Sequence, residues 1–325
     1  MFDFVTVGGT TRDISFFTDE GILMDNHIDI LRQKVLAFEL GSKIKVDKFF
    51  YSYGGGAANA AVCLANFGFK TACLAPVGSD QNGQLIIKNL RDRGVSSSLI
   101  IKIPQEESSA SFILVSPSGE RIIFAQRGAN AKLSLPEQKL KAIDSAKNIY
   151  IASLAGDWQA ALKKVFKHVK SSQQVFWNPG TTQLLGGLED IAIFLKKVTV
   201  LAINQDEATE LVLRTDAYRK KKRSFLDNPR NLLQIIKAAG PQIVVITRGP
   251  EGVIAFDGQK FYEREVVHEK KKVDSTGVGD IFNSTFAAGL NLYSGEIDKA
   301  LDLALRNAAS KVAHLGAQNG LITLK

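Results

Sequence analysis

The feature of this 325-residue chain that most constrains its fold is the alternation of short apolar runs with longer helical patterns. The short runs predict strands at residues 4–7, 71–77, 148–152, 174–177, 198–203 and 242–247. Helical patterns lie between and after them, at residues 57–67, 81–93, 158–170, 205–213, 231–239, 281–292 and 297–315. This order predicts an α/β fold with a central, mainly parallel sheet and helices on both faces.

Two segments interrupt the alternation and have the composition of strands. The first covers residues 14–53, and the second, residues 110–125, reads as a hairpin with its turn at 116–119. We expect the two insertions to pair into one small β-sheet that forms a lid over the ligand end of the core. The α/β domain then comprises residues 1–13, 54–109 and 126–325. The alternative is two unrelated surface hairpins.

Charge and hydropathy exclude several classes of partner. The chain has 41 Lys and Arg against 33 Asp and Glu, a net charge of +8, and five of the positive charges lie in one run at 219–223. Such a run is typical of a solvated loop or helix end, and no nucleic-acid-binding motif accompanies it, so we expect no nucleic-acid partner. No apolar stretch approaches the ~20 residues that cross a bilayer. The first residues do not resemble a signal peptide, and we expect a cytoplasmic protein.

The most informative stretch is a glycine-containing loop before a helical pattern, with the sequence DSTGVGD at 274–280. Gly277 and Gly279 allow a tight turn, and the amides that enter the helix would point at one anion. Asp280 would lie beside the same helix N-terminus, where an ionised carboxylate can accept a proton from a hydroxyl. A phosphate site next to a base is what phosphoryl transfer to an alcohol requires. The alternative is that Asp280 only caps a helix.

A second glycine cluster lies near the start of the chain. Gly54 and Gly55 open a helix of small residues that includes Asn59, and Asp13 follows the first predicted strand. A carboxylate and an amide at one sheet edge can together bind a vicinal diol. The alternative for Asp13 is a simple turn residue.

Taken in order, the motifs of this chain resemble those of the PfkB/ribokinase family of carbohydrate and nucleoside kinases. One family signature is the Gly-Gly and Asn segment at 54–59, and the other, usually D-T-x-G-A-G-D, is the loop at 274–280. Four further matches lie between them: VGSDQNG at 77–83, GAN at 128–130, NQDE at 204–207 and TRGPEG at 247–252. Ser275 and Val278 replace the usual Thr and Ala, which removes neither the amides nor the base.

The resemblance implies a ribokinase-like fold and ATP-dependent phosphorylation of a sugar or nucleoside hydroxyl. It implies that Asp280 is the catalytic base and that Gly277, Val278 and Gly279 bind the transferred phosphoryl group. The other implied contacts are Asp13, Gly54, Gly55 and Asn59 to the acceptor, Asn204, Glu207, Thr247, Gly249, Gly252 and Asn307 to the nucleotide, Glu207 through water to Mg²⁺, and Asp274 to a monovalent cation such as K⁺.

The main alternative is a non-catalytic sugar- or nucleoside-binding protein of the same fold with a regulatory or assembly role. The intact Asp280 and Glu207 argue against it, because a binding module needs neither. The acceptor stays open among ribose, fructose, other sugars, sugar phosphates and nucleosides. Aromatic residues of the lid segments fit a nucleobase contact, the core of the lid sheet or a dimer contact, and a homodimer through the lid is a further hypothesis.

Overall fold

The computed structural model describes residues 1–25, 34–115, 121–267 and 272–323, so the predicted hairpin turn at 116–119 lies outside the described residues. The strands are β1 (Phe4–Val7), β2 (Thr11–Phe17), β3 (Ile22–Asp25), β4 (Lys34–Ala37), β5 (Lys48–Gly54), β6 (Thr71–Leu74), β7 (Pro76–Gly78), β8 (Ile101–Ile103), β9 (Ala110–Val115), β10 (Arg121–Gln126), β11 (Asn148–Ile151), β12 (Gln174–Trp177), β13 (Val200–Asn204), β14 (Ile243–Thr247), β15 (Val253–Phe256) and β16 (Phe261–Arg264). The α-helices are α1 (Gly56–Asn66), α2 (Gln81–Asp92), α3 (Glu137–Ser145), α4 (Trp158–His168), α5 (Thr181–Leu184), α6 (Gly187–Leu195), α7 (Gln205–Arg214), α8 (Arg223–Leu226), α9 (Pro229–Ala238), α10 (Val278–Leu292) and α11 (Ile297–Val312).

The largest sheet of the described residues has eight strands in the order β16-β15-β14-β13-β12-β11-β1-β6. The six strands from β14 to β6 in this order run parallel, and β15 and β16 extend the sheet antiparallel beside β14. The predicted α/β class and mainly parallel sheet are therefore confirmed. The antiparallel extension was not part of the prediction, because its two short strands carry no helix between them.

Side chains of the central strands alternate between two apolar cores, one on each face of the sheet. In β1, Val5 and Val7 point into one core and Phe4 into the other. The four residues of β1 are all fully buried, as expected for a parallel strand with helices on both sides. This burial fixes the strand ends, and therefore the loops that follow them, in a rigid frame.

A second sheet combines the two insertions. Its strand order is β10-β9-β2-β5, and β2 pairs in parallel with β9 and antiparallel with β5. The predicted pairing of the two segments into one small sheet is thus confirmed. β2 and β5 also extend beyond the predicted insertion 14–53, at Thr11 and Gly54. The division into a core domain and a lid stays a prediction.

One face of this second sheet is rich in exposed aromatic and apolar side chains. Phe49 is 62% exposed, Phe124 is 56% exposed and Tyr51 is 50% exposed, and Phe49 and Tyr51 are in edge-to-face contact with each other. Aromatic surface of this kind is typical of a contact surface. The homodimer through the lid stays a prediction.

Residues 219–222 of the basic run are exposed and lie in the connection before α8, and Arg219 pairs with Asp216 at 2.7 Å. That placement agrees with a solvated segment. In the part of the chain that the structure describes, no helix has the length and apolar character needed to cross a membrane.

The two long C-terminal helices, α10 and α11, pack closely because a glycine lies between them. A Cβ on Gly289 of α10 would lie 2.8 Å from the Cα of Ala300 in α11. Ala300 is itself fully buried, so a larger side chain at residue 289 could only be accommodated if the helices moved apart.

We expect Gly289→Val to lower the free energy of unfolding by about 1–3 kcal/mol, because overpacking forces the helix backbones apart. Urea unfolding monitored by circular dichroism measures the change. Leu292→Val, at the exposed end of the same helix, is the control and should change stability by no more than about 0.5 kcal/mol. An unchanged midpoint for Gly289→Val would contradict the close packing.

Candidate active site

The predicted site residues lie at the end of the sheet where the parallel strands have their carboxyl termini. Asn204 is the last residue of β13 and Thr247 is the last residue of β14, and the two are partners in the register of these strands. Gly8 and Gly9 follow β1. Loops at this edge are where open α/β sheets bind ligands.

The loop at 274–280 has the geometry of an anion site. Gly277 is in the left-handed conformation, with φ 72°, and is the N-cap of α10. A Cβ on Gly277 would lie 2.6 Å from the Cβ of Ala317, so both its backbone angle and the space around it favour glycine. The position of Gly279 is open, with no atom within 4 Å of a Cβ added there. A phosphate can therefore approach the first amides of α10 closely.

Asp280 is held in the first turn of α10 by a side chain from another helix. The Nδ2 of Asn59 in α1 donates to Asp280 Oδ2 at 2.8 Å, and the Oδ1 of Asn59 accepts from Nε2 of Gln318 at 3.1 Å. Asn59 is only 3% exposed, so its amide has a fixed orientation. Burial raises the pKa of the Asp280 carboxyl, and the hydrogen bond from Asn59 opposes that rise.

A polar cavity of about 170 Å³ lies next to this carboxyl. It is lined by Gly8, Gly9, Gly55, Gly56, Arg127, Asn130, Leu133, Ser153 and Ala155. A Cβ on Gly56 would lie 3.3 Å from Asp280 Oδ1, so the carboxyl lies beside one of the glycines that line the cavity. Gly55, with φ 92°, is the N-cap of α1 and has backbone atoms of Gly9 and Thr10 within 3 Å of an added Cβ. Glycine is therefore required for the backbone to reach this cavity.

Asp13 lies on β2 beside the same glycine segment, and its carboxyl is 4% exposed. A Cβ on Gly54 would lie only 2.2 Å from Asp13 Oδ2, so the carboxyl packs directly on the glycine. Burial raises the pKa of Asp13 from 3.8 to about 6, the hydrogen bond with Ser111 lowers it, and the negative charges of Asp274 and Asp280 add to the rise. Asp13 thus belongs to the same acidic cluster as the glycine loop.

Asn204 and Glu207 form a reciprocal capping box at the start of α7. Glu207 N donates to Asn204 Oδ1 at 2.8 Å, and Asn204 N donates to Glu207 Oε2 at 3.0 Å. Burial raises the pKa of the Glu207 carboxyl, and the charge of Asp280 contributes to the rise, so the two carboxyls share one electrostatic environment. The motif therefore has a structural role as well as a position facing the anion site.

An apolar groove of about 300 Å³ adjoins the glycine loop. It is lined by Gly249, Pro250, Val266, Val267, Lys272, Val278, Leu305, Ala308, Ala309 and Val312. Val278, the first residue of α10, belongs to both the groove and the anion loop. The groove has the size and apolar lining that a planar heterocycle needs.

Two glycines that are predicted to border the nucleotide, Gly249 and Gly252, lie in the loop after β14. Gly249 lines the groove, and Gly252, with φ 87°, closes the loop after β14 by accepting a hydrogen bond from Arg248 N at 2.8 Å. A Cβ on Gly252 would lie 2.0 Å from the carbonyl oxygen of Arg264. Both residues have a positive φ, which favours glycine at these two positions of the loop.

The prediction that Asn307 contacts adenine stays a prediction, and the side chain of Asn307 does not line the groove beside the glycine loop. Asn307 is fully buried on the opposite side of α11 from the groove, where its Nδ2 donates to Thr285 Oγ1 at 2.7 Å and its Oδ1 accepts from Ile322 N at 2.9 Å. Its amide is used to join α10, α11 and the C-terminal segment. The residues of α11 that line the groove are Leu305, Ala308, Ala309 and Val312.

The prediction that Asp274 binds a monovalent cation stays a prediction, and the structure places the ammonium of Lys311 beside this residue. The Asp274 carboxylate accepts from Thr276 N at 2.8 Å and from Gly316 N at 2.8 Å, and the buried ammonium of Lys311 donates to the Asp274 carbonyl at 2.6 Å. Burial would raise the pKa of this carboxyl, but the Thr276 N–H and the Lys311 charge lower it below its ordinary value. A protein cation therefore lies within hydrogen-bonding distance of an Asp274 oxygen.

Two carboxylates of the site are candidate ligands for a divalent metal ion. Within the described ranges, no three His, Cys, Asp or Glu side chains cluster as a metal site. Mg²⁺ in phosphoryl-transfer sites commonly keeps several waters and takes one or two carboxylates together with substrate phosphates. Glu207 and Asp280 are carboxylates in positions that suit this arrangement.

Three residues of the site were not among the predicted ones: Gln318, which orients Asn59; Asn130, which hydrogen bonds with the backbone of Thr10 and lines the cavity; and Lys311. Asn130 was detectable, because it lies in the GAN motif. Gln318 and Lys311 had no such signal, because a glutamine in a C-terminal segment and a lysine at a helix end are usually solvated.

A comparison with protein families identifies the class. The model of the pfkB family carbohydrate kinases matches residues 22–324. The match covers nearly the whole chain and includes the glycine loop, the capping box and the GAN motif. The protein therefore belongs to the pfkB family of carbohydrate kinases.

Curated relatives carry related names. A protein described as an uncharacterized sugar kinase from Archaeoglobus fulgidus is 28% identical over 265 residues, covering 79% of this chain and 97% of its own. Ribokinase from Bacillus subtilis is 27% identical, covering 83% of this chain and 84% of its own. Relatives at this distance support a kinase and leave the acceptor undetermined.

Solved structures confirm the ribokinase-like fold. Ribokinase from Thermotoga maritima superposes with a TM-score of 0.79 at 21% identity, covering 99% of this chain and 97% of its own. Ribokinase from Arabidopsis thaliana, in complex with ribose and ATP, superposes with a TM-score of 0.79 at 20% identity, covering 99% and 96%. At such identities the likeness establishes the fold only.

The raised pKa of Asp13 predicts a pH-dependent cost in stability. Because the folded pKa lies above the ordinary value, folding favours the protonated carboxyl, and this contribution is lost as the pH rises through about 6. Asp13→Asn should therefore be nearly as stable as the native protein at about pH 4 and more stable by on the order of 2 kcal/mol at about pH 7.

Urea unfolding of both proteins across this pH range measures the difference. Asp92→Asn, at an exposed carboxyl paired with Lys88, is the control and should show no such gain. A constant difference between Asp13→Asn and the native protein at all pH values would contradict the buried, destabilised carboxylate.

Proposed function

We propose that this protein is an ATP-dependent kinase that phosphorylates a hydroxymethyl group of a sugar, with Asp280 as the catalytic base. The observation that carries the proposal is the position of the Asp280 carboxyl. It lies in the first turn of α10, is oriented by Asn59, and lies beside Gly56, which lines the cavity. A base placed between an acceptor cavity and an anion site is the arrangement that phosphoryl transfer to an alcohol needs.

The size and lining of the cavity favour a single sugar ring over a nucleoside. Its volume of about 170 Å³ is smaller than the ~300–1,000 Å³ of typical drug-sized ligand sites. Four of its nine lining residues are glycines, Asn130 and Ser153 supply polar groups, and Arg127 supplies a charge. Asp13 is the predicted partner for hydroxyl groups of the acceptor, and Asn59 acts by orienting Asp280. Arg127 also suits a sugar that carries a phosphate.

The chemical step follows from these positions. The hydroxyl oxygen of the acceptor attacks the γ-phosphorus of ATP, the bond from that phosphorus to the ADP oxygen breaks, and the hydroxyl proton passes to the Asp280 carboxylate. Burial raises the pKa of Asp280 toward the range where a carboxylate is an effective base. The amides of Gly277, Val278 and Gly279 point at the transferred group and stabilise its developing charge.

The nucleotide would lie along the loop after β14 and the apolar groove. We place the adenine between Pro250 and the α11 residues Ala308 and Ala309, with the phosphates directed toward Gly277 through Val278. Thr247, Gly249 and Gly252 border the phosphates and the ribose. Asn204 and Glu207 would hold Mg²⁺ through water, and the ion would neutralise charge on the phosphates.

A coupled assay of ADP release over sugars, sugar phosphates and nucleosides tests the function. We expect turnover with a sugar or sugar phosphate and weaker turnover with nucleosides. ATP binding without ADP release from any acceptor would instead favour the non-catalytic binding protein.

Asp280→Asn should reduce kcat by about 10²- to 10⁴-fold, because the amide cannot accept the hydroxyl proton. Its binding of ATP should be nearly unchanged, because Asn59 can still hydrogen bond to the amide oxygen. Coupled ADP release measures the first effect and isothermal titration calorimetry the second. Asp216→Asn, an exposed surface carboxyl, is the matched control. Full activity of Asp280→Asn would overturn the assignment of the base.

Ala309→Leu should raise the KM for ATP by about 10-fold, because the larger side chain fills the groove and costs about 1.4 kcal/mol of binding free energy. The kcat and the KM for the acceptor should change little. Arg306→Leu, on the exposed side of the same helix, adds a leucine outside the groove and is the control. An unchanged KM for ATP would show that the nucleotide base does not bind in this groove.

A further inference from the structure

Lys311 is a charged side chain in an unusual environment. It lies in the last turn of α11, and its side chain is fully buried. An isolated ammonium group is strongly disfavoured in a protein interior, and lysine is almost never fully buried unless it is paired. The surroundings of this side chain must therefore compensate a positive charge.

The compensation comes from oxygen atoms around the ammonium. Lys311 Nζ lies 2.6 Å from the carbonyl oxygen of Asp274, 3.5 Å from the carbonyl oxygen of His314 and 3.8 Å from Asp274 Oδ2. Backbone carbonyls supplemented by a carboxylate are the ligands that replace the hydration shell of an alkali-metal ion. The ammonium has the same unit charge and the same kind of ligands as such an ion, but it is covalently attached to the chain.

This cation lies directly behind the proposed anion site. Asp274 opens the glycine loop, and its carboxylate also accepts from the backbone amides of Thr276 and Gly316. The backbone amides of Val273 and Asp274 donate to the carbonyl of Val312 at 2.8 and 3.0 Å. The start of the loop is thus attached to the C-terminal end of α11 from several directions, with the ammonium at the centre.

We propose that Lys311 is a tethered monovalent cation that positions the glycine loop, and that it makes the enzyme independent of dissolved K⁺ or NH₄⁺. The proposal rests on the proposed kinase function, because the loop it positions is the phosphoryl site. Lys311 acts as a positioning residue: it contacts Asp274, and Asp274 sets the start of the loop that carries Gly277 and Gly279. Preorganised amides of this kind need no rearrangement when charge develops.

If Lys311 had only a structural role, dissolved cations would not restore activity to a variant that lacks it. If the ammonium replaces an ion, its removal leaves a set of oxygen ligands that a dissolved ion of the right size can fill. Lys311→Ala removes the charge and leaves space, whereas Lys311→Met removes the charge and keeps most of the volume. Only the alanine variant should then respond to added monovalent cations.

The experiment compares the native enzyme, Lys311→Ala and Lys311→Met in chloride salts of tetramethylammonium, Na⁺, K⁺ and NH₄⁺ at constant ionic strength. The native enzyme should have the same rate in all four salts. Lys311→Ala should lose roughly 10- to 100-fold of kcat in tetramethylammonium and regain activity saturably with K⁺ or NH₄⁺. Lys311→Met should lose activity without recovery. Lys299→Ala, an exposed lysine on the same helix, is the control and should behave like the native enzyme.

A second readout needs no acceptor and therefore separates this proposal from the proposed function. The thermal midpoint of Lys311→Ala should rise with K⁺ or NH₄⁺ more than with tetramethylammonium, while those of the native protein and Lys311→Met should not distinguish the salts. This result would stand even if no acceptor were found.

Three results would overturn the proposal. One is activation of the native enzyme by K⁺, which can be measured even if the alanine variant does not fold. Another is full activity of Lys311→Ala in tetramethylammonium. The last is equal recovery of Lys311→Ala and Lys311→Met, which would indicate a general salt effect.

Discussion

The site depends on one hydrogen bond between two helices, from Asn59 in α1 to Asp280 in α10. Each helix begins at a glycine N-cap at the same end of the sheet, so both N-termini face the same space. Asn59 is oriented by Gln318, which comes from the segment after α11. The acceptor cavity, the base and the C-terminal segment are therefore joined through one buried amide, and the direction of the Asp280 carboxyl follows from this network rather than from its own helix.

The four acidic residues near this bond have different electrostatic environments. Burial raises the pKa of Asp280, Glu207 and Asp13, the last to about 6, whereas backbone N–H groups and Lys311 keep the pKa of Asp274 low. Asp274 is thus fixed as an anion with a structural role. The charge of Asp280 contributes to the raised pKa of both Asp13 and Glu207, and a bound cation or a proton would relieve that repulsion. Groups with separated pKa values in one site are what acid–base catalysis requires.

The sequence was sufficient for the fold and for the backbone of the site, but not for its side-chain network. Strand and helix periodicity, glycine positions and motif order depend on local chemistry, and the α/β sheet and the glycine N-cap of α10 followed from them. Which side of α11 faces the groove depends on how that helix packs, so the sequence could not show that Asn307 lies on the other side of the helix. The burial of Lys311 could not be recognised from the sequence, because a lysine in an amphipathic helical pattern is expected to be solvent-exposed. Its burial is favourable only because carbonyl oxygens surround the ammonium in the folded protein.

Net charge and the local charge of the site have opposite signs. The chain has a net charge of +8, yet the end of the sheet where the site lies concentrates Asp13, Glu207, Asp274 and Asp280. Exposed charges such as those at 219–222 are screened within about 10 Å at ordinary ionic strength, so they contribute little to a field inside the site. Binding of a phosphate there must depend on short-range groups: the amides at the start of α10 and a metal ion between carboxylate and phosphate. A buried ammonium at Asp274 adds to this arrangement because it is close to the loop and shielded from water.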